Sequence, residues 1–156
     1  MGLVLGKLAG GATLAFTQAA AFLCVAPLVG LSITFVHALV LLAMLFLISL
    51  GLTAMGFVMA WWLESVQGFH AVMNLFLMPM WLLSGALFPM AGATFWLRMA
   101  MQVNPLTYGL SVLQRMLSLH GLPLFAEGPG LLVSFAVLGV FTVVFTLFAW
   151  RQVERG

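Results

Sequence analysis

Residues 69–115 read FHAVMNLFLMPMWLLSGALFPMAGATFWLRMAMQVNPLTYGLSVLQR, and this stretch decides how the chain folds. Its first part, as far as Met90, is uncharged and long enough to cross a bilayer, which takes about 20 helical residues. The second part is punctuated by polar residues and contains Arg98 and Arg115. An arginine near the centre of a spanning helix costs about 2.5–3.5 kcal/mol on insertion scales. We therefore expect a span joined to a segment that does not cross the membrane fully.

The pattern of the second part predicts two short amphipathic helices. Thr94, Arg98 and Gln102 recur every four residues among apolar neighbours, which places a narrow polar stripe on the first helix. Asn104-Pro105 then ends that helix, because the residue before a proline disfavours helical geometry. Beyond the proline, polar residues share one face of a second helix and leucines share another. We predict a helical hairpin over residues 93–119 that lies at the interface or dips partly into the membrane.

The first part of the stretch contains a helix breaker at membrane depth. Pro79 lies near the middle of the apolar run and is followed by Ser84-Gly85. A proline removes a backbone donor and clashes with the preceding turn, so the helix is predicted to bend or break at Pro79. Irregular backbone inside a membrane persists only beside protein or a water-filled cavity. The region is therefore a candidate translocation path, and a passive kink in a packed bundle is the alternative.

The composition indicates an integral membrane protein. Hydrophobic residues make up 65% of the 156 residues and charged residues 5%, with a mean hydropathy of +1.25, whereas globular proteins contain about 25% charged residues. The apolar runs are continuous rather than alternating, which favours helices over a barrel. We predict an all-α, polytopic transmembrane bundle in a single domain, residues 1–156. Its expected spans are residues 8–30, 33–63, 69–90 and 131–150.

The same composition excludes several functions. Five basic and three acidic residues give a net charge of +2, which is too sparse for the basic face that nucleic-acid binding needs. His37, His70 and His120 are dispersed and aspartate is absent, so the sequence suggests neither a metal site nor a nucleophile–base pair. We predict that the chain is not an enzyme and binds no cofactor itself.

Charge also predicts how the chain is oriented. Four spans place both termini on one side of the membrane, and Lys7, Arg151 and Arg155 near the termini favour the cytoplasm. The connection between the second and third spans then lies on the cytoplasmic side. Its polar residues Glu64, Gln67 and His70 form a candidate cytoplasmic coupling loop, and an ordinary solvated loop is the alternative.

These residues carry a resemblance to a known family. The segments MNLFLMPMWLLSGALFPM and TFWLRMAMQVNPLTYGLSVLQRML resemble the carboxy-terminal half of the permease subunits of ABC-2 type exporters, which include drug-resistance and nodulation-factor export permeases. The opening Leu5-Gly6-Lys7 is similar to the family's entry into its third span. The residues that carry the resemblance are Pro79, Ser84, Gly85, Phe88, Pro89, Asn104, Pro105, Leu106, Thr107, Tyr108 and Arg115. All of them except Leu106 form a candidate gate or translocation path.

The resemblance implies a function as well as a fold. Such a permease would move an amphipathic, drug-like or lipid-linked substrate out through the bacterial cytoplasmic (inner) membrane, paired with a second permease copy and with separate ABC ATP-binding subunits that bind the ATP. Family members carry two further spans before the Gly-Lys, so we expect a truncated or shortened permease. The alternatives are a small proton-coupled multidrug transporter, which needs an intramembrane carboxylate, and a membrane interaction protein that does not transport.

Overall fold

The described residues form helices joined by turns. The computed structural model describes residues 2–29, 33–63, 65–87, 90–117 and 128–155. The α-helices, in chain order, are α1 (Gly2–Val25), α2 (Phe35–Trp61), α3 (Val66–Trp81), α4 (Phe95–Val103), α5 (Pro105–Leu117) and α6 (Leu131–Arg155). Short 3-10 turns, Ala26–Val29 and Met90–Gly92, follow α1 and precede α4, and a π-helical turn, Leu82–Ala86, follows α3.

The predicted all-α polytopic fold is confirmed for the described residues, which contain no strand. Within the described ranges, four helical stretches are long and apolar enough to cross a membrane: Val4–Leu28, Phe35–Trp61, Val66–Ala86 and Leu131–Glu154. At 1.5 Å per residue each of them reaches about 30 Å or more, which is the thickness of the hydrocarbon layer.

Two apolar clusters fix the antiparallel order of the spans. In one cluster Val4 of α1 packs with Ala54 of α2 and Ala149 of α6, so the start of α1, the second half of α2 and the end of α6 lie together. We call this end of the bundle the terminal end. In the other cluster Met44 of α2 packs with residues of α5 and α6. This second end, which also receives α4 and α5, is called the hairpin end.

Small residues allow the spans to pack closely. A Cβ atom on Gly11 of α1 would lie 2.8 Å from a methyl carbon of Thr53 on α2. A Cβ atom on Gly51 of α2 would lie 2.7 Å from Thr142 Oγ1 on α6. That hydroxyl donates to the carbonyl of Leu47, 3.2 Å away, and so ties α6 to α2. These contacts agree with the expectation that small residues and hydroxyls hold spanning helices together.

The hairpin enters the bundle instead of lying on it. α4 has nine residues and α5 thirteen, so they extend only about 13 Å and 20 Å, too short to cross. Val112 of α5 is fully buried against Met44 and Leu138, in the cluster at the hairpin end. Of the two predicted placements, the structure therefore has the one in which the hairpin dips between the spans. Asn104, the one non-helical residue between α4 and α5, is the tip of this re-entrant hairpin.

The break in the third span lies after the predicted position. Pro79 is inside α3, and the helix continues through it to Trp81. The backbone N–H of the next residue, Leu82, still donates to the carbonyls of Met78 and Pro79. The helix ends in the following turn, at Gly85, whose φ of 96° is left-handed. The structure therefore has no break at Pro79 itself, and the span is interrupted about six residues later, at the Ser84-Gly85 pair that also marked this region in the sequence. A proline leaves one carbonyl of the preceding turn unpaired, whereas a left-handed residue turns the whole chain.

Candidate functional site

The candidate site is the junction between the end of α3 and the tip of the hairpin, residues 80–85 and 104–107. The last carbonyls of a helix have no intrahelical amide to accept from, and in a membrane water does not reach them. Ser84 satisfies one of them locally, since its hydroxyl donates to the carbonyl of Trp81 at 2.6 Å. Two further carbonyls of this turn accept from the hairpin.

Asn104 connects the two sides of the junction. Its side-chain amide donates to the carbonyl of Met80 at 2.5 Å, while its side-chain oxygen accepts from the backbone N–H of Leu106 at 3.0 Å. The second bond is an N-terminal cap of α5, and Pro105 in the first helical position suits that cap because it needs no N–H partner. Asn104 is 6% exposed. One buried amide therefore begins α5 and also fastens it to α3.

Thr107 makes a second hydrogen bond between the hairpin and the end of the third span, one helical turn beyond Asn104. Its hydroxyl donates to the carbonyl of Leu83 at 3.3 Å, and the residue is 2% exposed. Asn104 and Thr107 are three residues apart, as are Met80 and Leu83, so the start of α5 follows the turn at the end of the third span in register. Hydroxyl and amide donors that reach unpaired carbonyls contribute about 0.5–1.5 kcal/mol each. The junction is thus held by two bonds of modest strength.

Gly85 gives the junction its shape. A Cβ atom at this position would meet only the methyl group of Met101, at 3.6 Å, and a methyl group of Leu110, at 3.9 Å, which are ordinary contacts. The need for glycine therefore comes from the left-handed backbone and not from crowding.

Replacing Gly85 by alanine is expected to destabilise the folded chain by about 1–2 kcal/mol, because a Cβ atom disfavours left-handed geometry. Unfolding in mixed micelles with sodium dodecyl sulfate, followed by tryptophan fluorescence, would measure the change. Gly92→Ala is the matched control, since Gly92 has open space around it and no left-handed φ. Gly85→Asn should recover part of the loss, because asparagine tolerates this geometry. Equal stability of Gly85→Ala and Gly92→Ala would contradict the explanation.

An apolar groove opens beside the junction. Pro79, Leu82 and Leu83 on the α3 side and Leu97 on α4 line it, and its volume is about 470 Å³. The groove places Pro79 at the edge of the site even though the helix does not break there. It is large enough for part of a drug-sized apolar group, since ligand pockets measure about 300–1,000 Å³.

The remaining gate candidates on the hairpin lie outside the junction. Tyr108 donates its hydroxyl to the carbonyl of Gln102 at 2.7 Å, which braces α5 against the end of α4. Arg115 lies about 16 Å along α5 from Asn104. Its guanidinium donates to the carbonyl of Gly128, just before α6. Arg115 thus connects the end of α5 to the segment before α6, and Tyr108 connects α5 to the end of α4 at the turn of the hairpin.

The candidate coupling loop is shorter than predicted. Gln67 and His70 belong to the first turns of α3, which begins at Val66. Ser65 caps this helix, and its side chain accepts from the N–H of Gly68 at 3.0 Å. The prediction that Gln67 and His70 lie in a loop was therefore wrong, because the Ser65 cap starts the helix earlier than hydropathy alone suggests. Glu64, Phe88 and Pro89, which were also predicted as site residues, lie outside the described residues.

The structure brings together Ser84, Gly85, Asn104, Pro105 and Thr107 from the predicted set. The sequence did not predict the residues that accept hydrogen bonds from Asn104 and Thr107. Met80 and Leu83 contribute backbone carbonyls, which no side-chain pattern reveals. The equal spacing of 24 residues, from 80 to 104 and from 83 to 107, is visible only once the pairing is known.

The junction and the helices around it lie within a stretch that matches a known family. Residues 2–118, three quarters of the chain and all of α1–α5, match the family model described as ABC-2 type transporter. No curated protein and no solved structure matches the chain. The part of the chain that the structure describes has four apolar helices long enough to span a bilayer, and the chain is a membrane protein that belongs to the ABC-2 type transporter family.

Proposed function

We propose that the chain is the membrane-spanning permease subunit of an ATP-driven exporter. The family implies partnership with an ABC ATP-binding subunit, which would bind and hydrolyse the ATP. Two permease copies would work with two such subunits in the bacterial inner membrane, with both termini in the cytoplasm. The substrate would be amphipathic, either drug-like or linked to a lipid.

The observation that carries the proposal is the junction of the hairpin tip with the broken end of α3. Only two polar side chains of the hairpin, those of Asn104 and Thr107, reach carbonyls of this turn among the described residues. Bonds of this kind are weak enough to exchange for water or for polar groups of a substrate. A re-entrant segment held in this way can separate from a span without unfolding either element.

The groove beside the junction supports the substrate class. Its described lining residues are all apolar, and the polar junction is formed by the neighbouring turn. An amphipathic molecule could therefore place an apolar part in the groove while its polar part meets carbonyls released from Asn104 and Thr107. Movement of the helices, driven by ATP-dependent closure of the partner subunits, would open and close this contact.

The test is co-purification of the chain with an ATP-binding subunit from its native membranes. The captured subunit should be identified by mass spectrometry, and the complex reconstituted in liposomes should hydrolyse ATP faster when amphipathic dyes are added. A partner variant that binds but does not hydrolyse ATP is the control for background activity. Association with no ATP-binding subunit, or ATP hydrolysis that is unchanged by every amphipathic dye, would count against the proposal.

A further inference from the structure

A second groove lies between the start of α1 and the end of α6, and we call it the α1/α6 groove. Val4 and Leu5 line it on α1, and Thr146, Leu147 and Trp150 line it on α6. Its volume is about 220 Å³, below the range of about 300–1,000 Å³ that is usual for small-molecule pockets. The groove therefore suits part of one extended chain better than a compact ligand.

The α1/α6 groove has an apolar surface and offers an occupant no hydrogen bond. The hydroxyl of Thr146 and the indole N–H of Trp150 are buried, so neither is presented to the groove. Leu5 is 59% exposed and Leu147 is 47% exposed, so both helices leave apolar surface uncovered at the same place. Lipid chains carry neither donors nor acceptors. An acyl chain of the bilayer therefore matches this surface.

The depth of the groove places its outer end beside lipid headgroups. Trp150 is the twentieth residue of α6, so it lies about 28 Å from Leu131 along the helix axis, close to the hydrocarbon thickness of about 30 Å. Tryptophan is enriched at this level in membrane proteins. Residues of α6 beyond Trp150 therefore lie among the headgroups at the terminal end.

Two residues of opposite charge follow the groove at headgroup level. Arg151 is four residues beyond Leu147, and Glu154 is four residues beyond Trp150, so each lies one turn further along the same side of α6. Both side chains are exposed. Neither forms an ion pair within the part of the chain that the structure describes. Both charges are therefore available to a headgroup.

We propose that the α1/α6 groove holds one acyl chain of a phospholipid whose headgroup carries a phosphate and a primary ammonium, as in phosphatidylethanolamine. Arg151 binds the phosphate and Glu154 binds the ammonium. The phosphate is the nearer of these two charges to the acyl chains, and Arg151 is about 4.5 Å nearer to the groove than Glu154 along α6. A guanidinium donates to phosphate oxygens, and a carboxylate accepts from an ammonium. The inference goes beyond the proposed function and requires no ATP-binding partner.

The same two charges disfavour an anionic lipid. Phosphatidylglycerol offers Arg151 the same phosphate but has no ammonium, which leaves the Glu154 carboxylate beside a negative headgroup. Lys7 of α1 adds no second cation at the groove, because it is two residues from Leu5 and points about 160° away from it. The groove is therefore expected to select a headgroup without net charge.

Lipid retention tests the headgroup. The full chain is purified in mild detergent with equal amounts of phosphatidylethanolamine and phosphatidylglycerol that have identical acyl chains, and the bound lipids are counted by native mass spectrometry. The unaltered chain should retain more phosphatidylethanolamine. Glu154→Gln should reduce this preference about 2- to 5-fold, whereas Arg151→Gln should lower the retention of both lipids. Equal retention of the two lipids by the unaltered chain, or an unchanged preference in Glu154→Gln, would overturn the proposal.

A larger side chain in the groove tests the place. Leu147→Trp should reduce the retention of phosphatidylethanolamine severalfold, because the indole ring occupies the groove. Phe148→Trp is the matched control and should change little, since Phe148 lies at the same depth and is 56% exposed but points about 100° away from Leu147. Equal losses in the two variants would overturn the assignment to this groove.

Photo-cross-linking in native membranes identifies the occupant directly. Leu147, and in a separate chain Phe148, is replaced by a photoreactive analogue of phenylalanine, and the captured species are identified by mass spectrometry. Position 147 should capture phosphatidylethanolamine in a higher proportion than position 148 does. Capture of a protein segment at position 147, from a second copy or from another chain, would overturn the proposal, as would the same lipid proportions at both positions.

Discussion

Replacing Asn104 by alanine is expected to destabilise the folded chain by about 2–4 kcal/mol. Two losses add together. The Met80 carbonyl loses its donor inside the bundle, which costs about 1–3 kcal/mol, and α5 loses its N-terminal cap, which costs about 1 kcal/mol. Unfolding with sodium dodecyl sulfate in mixed micelles, monitored by tryptophan fluorescence, would measure the change.

Two further variants separate these losses. Asn104→Ser keeps a side-chain acceptor for the cap but is too short to replace the amide donor, so about 1 kcal/mol should return. Gln102→Ala is the matched control, because the Gln102 side chain is exposed and only its backbone carbonyl accepts from Tyr108. If Asn104→Ala is no more destabilising than Gln102→Ala, Asn104 does not hold the hairpin to α3.

The sequence was sufficient for the architecture because bilayer thickness sets strict lengths. Four uncharged runs of about 20 residues or more leave few other folds, and the two arginines exclude residues 93–119 from a full crossing. The turn at Asn104-Pro105 was also predictable, since proline restricts both its own backbone and that of the preceding residue. These features depend on residues that are close together in the chain, so the sequence alone is enough to predict them.

The orientation of α5 could not be obtained in the same way. Its polar face left open whether the hairpin lies at the interface or dips into the membrane, and two residues of that face, Thr107 and Ser111, are buried. Thr107 donates to Leu83, and Ser111 donates to the carbonyl of Thr107 at 2.7 Å. Thr107 thus points inward because a backbone carbonyl of another element, that of Leu83, accepts from its hydroxyl. Such partners are set by the tertiary fold and leave no periodic signal.

Replacing Gly109 by alanine is expected to destabilise the bundle by about 1–3 kcal/mol, because the added methyl group overlaps the end of the Ile48 side chain on α2. Gly139→Ala on α6 is the control and should change little, since no atom lies within 4 Å of the position of its Cβ. Ile48→Val removes the overlapping methyl group at its own cost of about 0.5–1.5 kcal/mol. In the double variant the combined loss should be smaller than the sum of the two single losses, as expected for residues in contact. Strict additivity in this cycle, measured by the same unfolding assay, would show that α5 does not approach α2 at Gly109. A smaller combined loss would show that positions 109 and 48 are in contact, as the close approach of α5 to α2 requires.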